Sequence, residues 1–177
     1  DMYVAEELGF VKCGFAGAAP FEDEFYLYRE WLQKDYNASM AWMERNLQKR
    51  KDVRNIVPGA RTVIILAFNY FTTNDYDCRM PKSGRLSRFA WGTDYHEILL
   101  PKLKIISEEI KILYPGAVTR EYVDTGPVLE RQWAVRAGIG WQGKNGCILN
   151  KEYGSYFFLG TVITDANFEP DMPQSDH

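Results

Sequence analysis

The run TVIILAFNY, residues 62–70, is almost wholly apolar and rich in β-branched side chains. A strand with one wet face alternates apolar and polar residues. An unbroken apolar run of this length instead marks a strand inside a sheet. The chain must therefore supply neighbours for a central strand. With 177 residues, 46% of them hydrophobic, it can bury a core of the size of one ordinary domain.

The rest of the pattern supplies those neighbours. VAEELGF reads as a short helix ending at Gly9, and VKCGFAGAA as a strand leading into a turn of small residues. Phe21, Phe25, Tyr28 and Leu32 recur at helical spacing, and Ser39 is placed to cap a further helix, MAWMERNLQKR. Pro58-Gly59 marks a turn, and residues 71–87 are polar and irregular, as functional loops often are. A long helix is expected from Asp94, with Asp94 and Glu97 spaced as a capping box. Ile98, Leu99, Leu103, Ile106, Ile110 and Leu113 would form its apolar face, and Pro115-Gly116 would stop it. TREYV reads as a short strand. Thr125 then resembles an N-cap, with Pro127 in the first turn of a helix VLERQWAVRAG. NGCILN and SYFFLGTVIT read as two closing strands. The order predicts an α+β fold whose strands need not be parallel.

Charge and cysteine usage narrow the function classes. The net charge is −3 and the pI about 5.5, so no global basic footprint for nucleic acid exists. Two local basic clusters remain, Lys49, Arg50, Lys51 and Arg54, and Lys82, Arg85 and Arg88. Such runs are usually solvated faces. Cys13, Cys78 and Cys147 are widely spaced and odd in number, which supports neither a zinc site nor a disulfide framework. Reduced thiols in a cytoplasmic protein fit best. No apolar run approaches the length of a membrane span. The chain starts at Asp1 and ends in DANFEPDMPQSDH, so residues 166–177 read as a linker toward a further domain after a domain over 1–165.

Several stretches are locally unusual. In YVDTGPVLER, Asp124 stands between a strand and a helix start. There it can accept backbone N–H groups, which lowers a carboxyl pKa, or be desolvated beneath an apolar ligand, which raises it and makes a usable general acid. Capping by Asp124 or Thr125 is the plainer alternative. In GIGWQGKNGCIL, Gly138, Gly140, Gly143 and Gly146 surround Trp141 and Lys144. Glycines let backbone approach a ligand, but a tight turn around a buried Trp explains them equally. SRFAWGTDYH gathers Arg88, Trp91, Asp94, Tyr95 and His96. Its D-x-H lacks the glycine of the cobalt-ligating DxHxxG pattern, because Leu99 stands there, so His96 is expected to pack or hydrogen-bond at the helix start. No protein-built metal site is expected. Aromatics make up 15% of the chain, and GSYFFLG is either a buried strand or a flat ligand wall.

Taken together, LGFVKCGFAGAAPF, MAWMERN, VPGARTVIILAFNY, SRFAWGTDYH, YVDTGPVLERQWAVRAGIGWQGKN and GSYFFLGTVIT resemble, in order and over nearly the whole chain, the epoxyqueuosine reductase family. The resemblance implies an α+β sandwich like that of flavin nitroreductases and reductive dehalogenases, with a mainly antiparallel or mixed sheet flanked by helices. It implies reduction of the epoxide of epoxyqueuosine in tRNA to queuosine, with cobalamin held without a protein histidine. Electrons would come from two [4Fe–4S] clusters in a following ferredoxin-like domain, fed by flavodoxin or ferredoxin. The cluster ligands are absent here, so the fragment alone is expected to be inactive. Asp124 is the implied acid. Arg88, Asp124, Thr125, Gly126, Trp141, Gln142, Gly143, Lys144, Asn145, Ser155, Phe158 and Leu159 are the expected cofactor contacts. A monomer is expected. A flavin-binding (FMN) nitroreductase-like enzyme and a non-catalytic cobalamin-trafficking or RNA-binding module remain the rival readings.

Overall fold

A computed structural model describes residues 2–73, 84 and 86–174. Lys12–Gly17 (β1), Thr62–Asn69 (β2), Thr119–Tyr122 (β3) and Phe157–Thr164 (β6) form one sheet in the order β1–β2–β6–β3, with every neighbouring pair antiparallel. Trp141–Gln142 (β4) and Ile148–Leu149 (β5) pair as a small separate hairpin. The helices are Met2–Glu7 (α1), Asp23–Gln33 (α2), Leu47–Lys51 (α3), Tyr95–Leu113 (α4) and Glu130–Arg136 (α5). The architecture is α+β with an antiparallel sheet.

The apolar run forms β2, an inner strand. Its side chains alternate between two cores. Val63, Ile65 and Ala67 meet Phe21, Phe25, Val53, Trp133 and Ala134 beneath α2 and α5. Ile64 and Leu66 meet Leu99, Leu103, Ile106 and Ile110 of α4 and Ala5 of α1. Helices cover both faces, which is why this antiparallel strand lacks the usual polar alternation. Two glycines permit the close packing. A Cβ on Gly14 would lie 2.1 Å from the Ala137 carbonyl oxygen at the end of α5, and one on Gly160 would lie 2.8 Å from Leu103 Cδ2.

Several expectations need correction. The helix expected over MAWMERNLQKR is broken into a 3₁₀ turn, Ala41–Glu44, and α3, because Asn46 between them adopts the left-handed conformation (φ 57°). Ser39 caps neither piece. On α4, Asp94 does cap, accepting the His96 N–H at 2.9 Å. The buried stripe is Leu99, Leu103, Ile106 and Ile110, while Ile98 and Leu113 face outward. The helix expected from Thr125 starts only at Glu130, with Leu129 at its cap and no side-chain capping bond. Residues 123–129 form a loop.

Beyond β6 the chain stays on the sheet. The Thr62 hydroxyl donates to the Ala166 carbonyl (2.9 Å) and accepts the Phe168 N–H (3.1 Å). Phe168 stacks on Phe15 at 5.2 Å, and the Asp171 carboxylate accepts the Phe15 N–H at 2.9 Å, covering the edge strand β1. Among the described residues no helix is long and apolar enough to cross a membrane. Cys78, Lys82, Arg85 and His177 lie outside the described residues.

Candidate active site

Strand pairing ends at Tyr122, Val123 is buried, and the chain then turns at Asp124, whose φ is 58°. Asp is among the few side chains that tolerate this left-handed conformation. The turn closes tightly over the strand, since a Cβ on Gly126 would lie 2.2 Å from the Tyr122 ring. Two contacts hold Asp124. The Tyr95 hydroxyl donates to its Oδ2 at 3.0 Å, and its backbone N–H donates to Glu130 Oε1 at 2.8 Å. The carboxylate is exposed on one side. The helix N–H groups expected to reach it do not, because α5 begins six residues later. A phenol is its partner.

Asp124 borders a cavity of about 360 Å³ walled by Tyr70, Phe89, Tyr95, Phe157, Phe158 and Leu159, with Arg131, Gly146, Cys147, Ile148 and Ser155 completing it. Tyr95 and Phe158 stack nearly parallel, 4.2 Å apart with planes 9° from parallel. Tyr70 packs on Phe158 at 4.5 Å. A second hollow of about 350 Å³ shares Asp124 and Arg131 and is bounded by Trp42, Arg50, Thr125, Gly126, Glu130 and Gln142 among others. A third, more polar hollow of about 470 Å³ shares Tyr70, Phe89 and Ser155 and contains Arg88. The three form a row with Asp124 at the junction of two of them.

The electrostatics single out Glu130. Burial pushes its carboxyl up to about 7, and the nearby Asp124 carboxylate raises it too, against the Asp124 N–H and the guanidinium groups of Arg131 and Arg50. Burial, then the hydrogen bond to Asp124, raises the Tyr95 phenol well above its ordinary value, so Tyr95 stays a neutral donor. A carboxyl whose folded pKa is raised gives the folded chain an advantage that is full below its unfolded value and lost as pH rises through about 7. Melting curves from pH 5 to pH 8 should therefore show declining stability in the wild type, and a flatter profile in Glu130→Gln. An identical slope in both would place the titration elsewhere.

Of the residues expected from the sequence, Asp124, Ser155, Phe158 and Leu159 share the aromatic cavity. Thr125, Gly126 and Gln142 line the second hollow. Arg88 lies in the third, donating to the Thr72 carbonyl at 2.5 Å and stacking against Phe71 and Trp91. Trp141, Gly143, Lys144 and Asn145 line none of the three. They form the β4–β5 hairpin and its turn, where Asn145 Oδ1 accepts the Cys147 N–H. His96 packs at the helix start as expected, with Nδ1 2.7 Å from Asp94 Oδ1 and its ring stacked on Tyr95. Sequence reasoning missed Tyr70, Phe89, Glu130, Arg131 and Cys147. The pair Glu130-Arg131 followed Asp124 closely enough to suggest a partner, but it was read as helix body. Among the described residues no group of three or more His, Cys, Asp and Glu side chains is placed to hold a metal ion.

Tyr95→Phe removes the hydrogen bond that the Tyr95 hydroxyl donates to the Asp124 carboxylate. Any reaction that uses that carboxyl should slow by roughly tenfold or more, the scale of a hydrogen bond to a charged group. The stack on Phe158 would keep the ring in place. Steady-state kinetics of the variant would show the loss in kcat. An unchanged kcat would mean that Tyr95 only packs.

Comparison with known proteins gives a consistent result. The family model described as "Epoxyqueuosine reductase QueG, DUF1730" matches residues 50–125. A curated epoxyqueuosine reductase from Synechocystis sp. is 43% identical over 149 residues, 84% of this chain and 50% of that protein. The solved structure of epoxyqueuosine reductase from Streptococcus thermophilus superposes with a TM-score of 0.90 at 32% identity, covering 99% of this chain and 47% of that one. An epoxyqueuosine reductase solved with an epoxyqueuosine-modified tRNA-Tyr stem loop gives a TM-score of 0.83 at 32% identity, with the same coverage. A reductive dehalogenase whose structure suggests a mechanism for B12-dependent dehalogenation shares the fold at 17% identity and a TM-score of 0.55, covering 98% of this chain and 20% of that one. The chain spans about half the length of the curated relatives it matches.

Proposed function

We propose a function from one premise: this chain belongs to the epoxyqueuosine reductase family. It forms the part of such an enzyme that holds cobalamin and the reacting nucleoside, and Asp124 delivers a proton to the epoxide oxygen of epoxyqueuosine in tRNA. The observation that carries this reading is a carboxyl fixed by Tyr95 at the rim of an aromatic-walled cavity.

The residues present fit a corrinoid. A broad, flat, largely apolar macrocycle suits a row of hollows walled by Tyr70, Phe157, Phe158 and Leu159. Polar groups at the margins, Arg131, Gln142 and Ser155, match its amide side chains. Thr125, Gly126 and Arg88, and the hairpin residues Trp141, Gly143, Lys144 and Asn145, are assigned to its periphery on the family resemblance. The fold is read as the nitroreductase-like sandwich.

When bound, the corrinoid supplies the low-potential electrons that open the epoxide. Conversion of the epoxide to the alkene of queuosine consumes two electrons and two protons and releases water. Two [4Fe–4S] clusters of the family's ferredoxin-like domain, charged by flavodoxin or ferredoxin, are the proposed electron source. Asp124 supplies a proton at the oxygen. Tyr95 keeps the carboxyl aimed. The aromatic walls would limit the access of bulk water once the cavity is filled.

Titration with cobalamin, followed by gel filtration, tests the cofactor assignment. Corrinoid should co-elute with the chain at high-micromolar concentration, and FMN should not. Retention of FMN and rejection of the corrinoid would favour the flavin-dependent alternative.

A further inference from the structure

We propose that Glu130 is the positioning residue for Asp124, holding its backbone in the left-handed turn that presents the carboxyl to the cavity. This rests on the proposed role of Asp124 and deepens it.

Asp124 is poorly held by local structure. Its φ of 58° is unfavourable for a residue with a Cβ. Pairing of β3 stops at Tyr122, so the Asp124 N–H has no strand partner. Its hydrogen bond goes to Glu130 Oε1, 2.8 Å away. Glu130 is the first residue of α5, and α5 is anchored by Trp133 and Ala134, both completely buried. The hold on Asp124 therefore runs from the core through one carboxyl. Tyr95 on α4 fixes the side chain, and Glu130 fixes the backbone from the other side. Neither contact alone sets both the turn and the carboxyl direction.

The hold also responds to pH. A carboxylate accepts an N–H more strongly than a neutral carboxyl does. The groups facing Glu130 are Asp124 and Tyr95, which disfavour its charge or respond to it, and Arg131 and Arg50, which favour it. Burial dominates and places its titration near neutrality, at about 7. Rising pH thus lowers global stability while tightening the hold on Asp124. The two effects have opposite slopes, and a residue serving only the core would show the first alone.

Hydrogen exchange of residues 122–129, followed by mass spectrometry, separates these effects from catalysis. With intrinsic exchange rates divided out, protection at Asp124 should rise from pH 6 to pH 8 in the wild type. It should stay level in Glu130→Gln, which keeps an acceptor but cannot titrate. Glu130→Ala should lower protection at Asp124 about tenfold or more at pH 8. Equal protection in all three proteins, or the same pH trend in Glu130→Gln, would overturn the proposal. A second arm uses the full-length enzyme and modified tRNA. Glu130→Ala should lower kcat about tenfold or more with Asp124 present, and cause no further loss in the Asp124→Asn background. Independent, multiplying losses would show that Glu130 acts otherwise than through Asp124. If the exchange result holds while Asp124→Asn turns over normally, the latch stands and the acid assignment fails.

Discussion

Asp124→Asn in the full-length enzyme is expected to slow epoxide reduction by roughly 10²–10⁴-fold, the usual cost of losing a general acid. Folding should be spared, because Asn tolerates the left-handed conformation that Asp124 adopts (φ 58°) and can accept the Tyr95 hydroxyl through its amide oxygen. Cofactor uptake should also persist, since Tyr70, Phe89, Tyr95, Phe157 and Phe158 supply the cavity's main apolar surface and are left in place. A loss of this size with an unchanged melting temperature separates proton delivery from capping. Near wild-type turnover would reduce Asp124 to a turn residue, and Tyr95 would become the next candidate for the acid.

Trp133→Ala should destabilise the chain by about 3–5 kcal/mol, the range for emptying a large aromatic site in a core. Trp133 is fully buried, 4.5 Å from the Phe21 ring and beneath the Arg136 guanidinium. Its indole N–H is buried without a hydrogen-bond partner among the described residues. Trp133→Phe should therefore cost much less, because the smaller ring also removes an unpaired donor. Chemical denaturation of the two variants measures the difference. Equal losses would mean that the N–H is satisfied by water. The Ala variant should also disturb catalysis, since Trp133 anchors the helix that carries Glu130 and Arg131.

The parts of the fold set by local pattern were legible in the sequence. β2 announced itself because its long, nearly unbroken apolar and β-branched run suits a strand covered on both faces. α4 was legible because Leu99, Leu103, Ile106 and Ile110 recur at helical spacing and Asp94 can cap. The start of α5 was not legible. Thr125 followed by Pro127 carries a real helix-start signature, but the left-handed turn at Asp124 and the closure of Gly126 over Tyr122 hold the segment as a loop. Those are tertiary contacts that no local propensity encodes. The glycine cluster shows the opposite error. Gly140 is needed because a Cβ there would lie 2.0 Å from the Leu149 carbonyl oxygen, so packing of the β4–β5 hairpin already accounts for it. Asp124 stood out by its place between a strand and a helix and, with Ser155, Phe158 and Leu159, through the family resemblance, whereas Tyr70 and Arg131 lie far apart in the chain and meet only in three dimensions, and Glu130 reaches the Asp124 N–H only through the loop that joins them.

The most direct measurement is nucleoside analysis of tRNA from a bacterial strain lacking its own epoxyqueuosine reductase and expressing the complete reading frame that contains this chain. Mass spectrometry should find queuosine in place of epoxyqueuosine, and Asp124→Asn in the same background should restore the epoxyqueuosine signal. Persistent epoxyqueuosine in a strain that makes the folded wild-type protein would contradict the assignment.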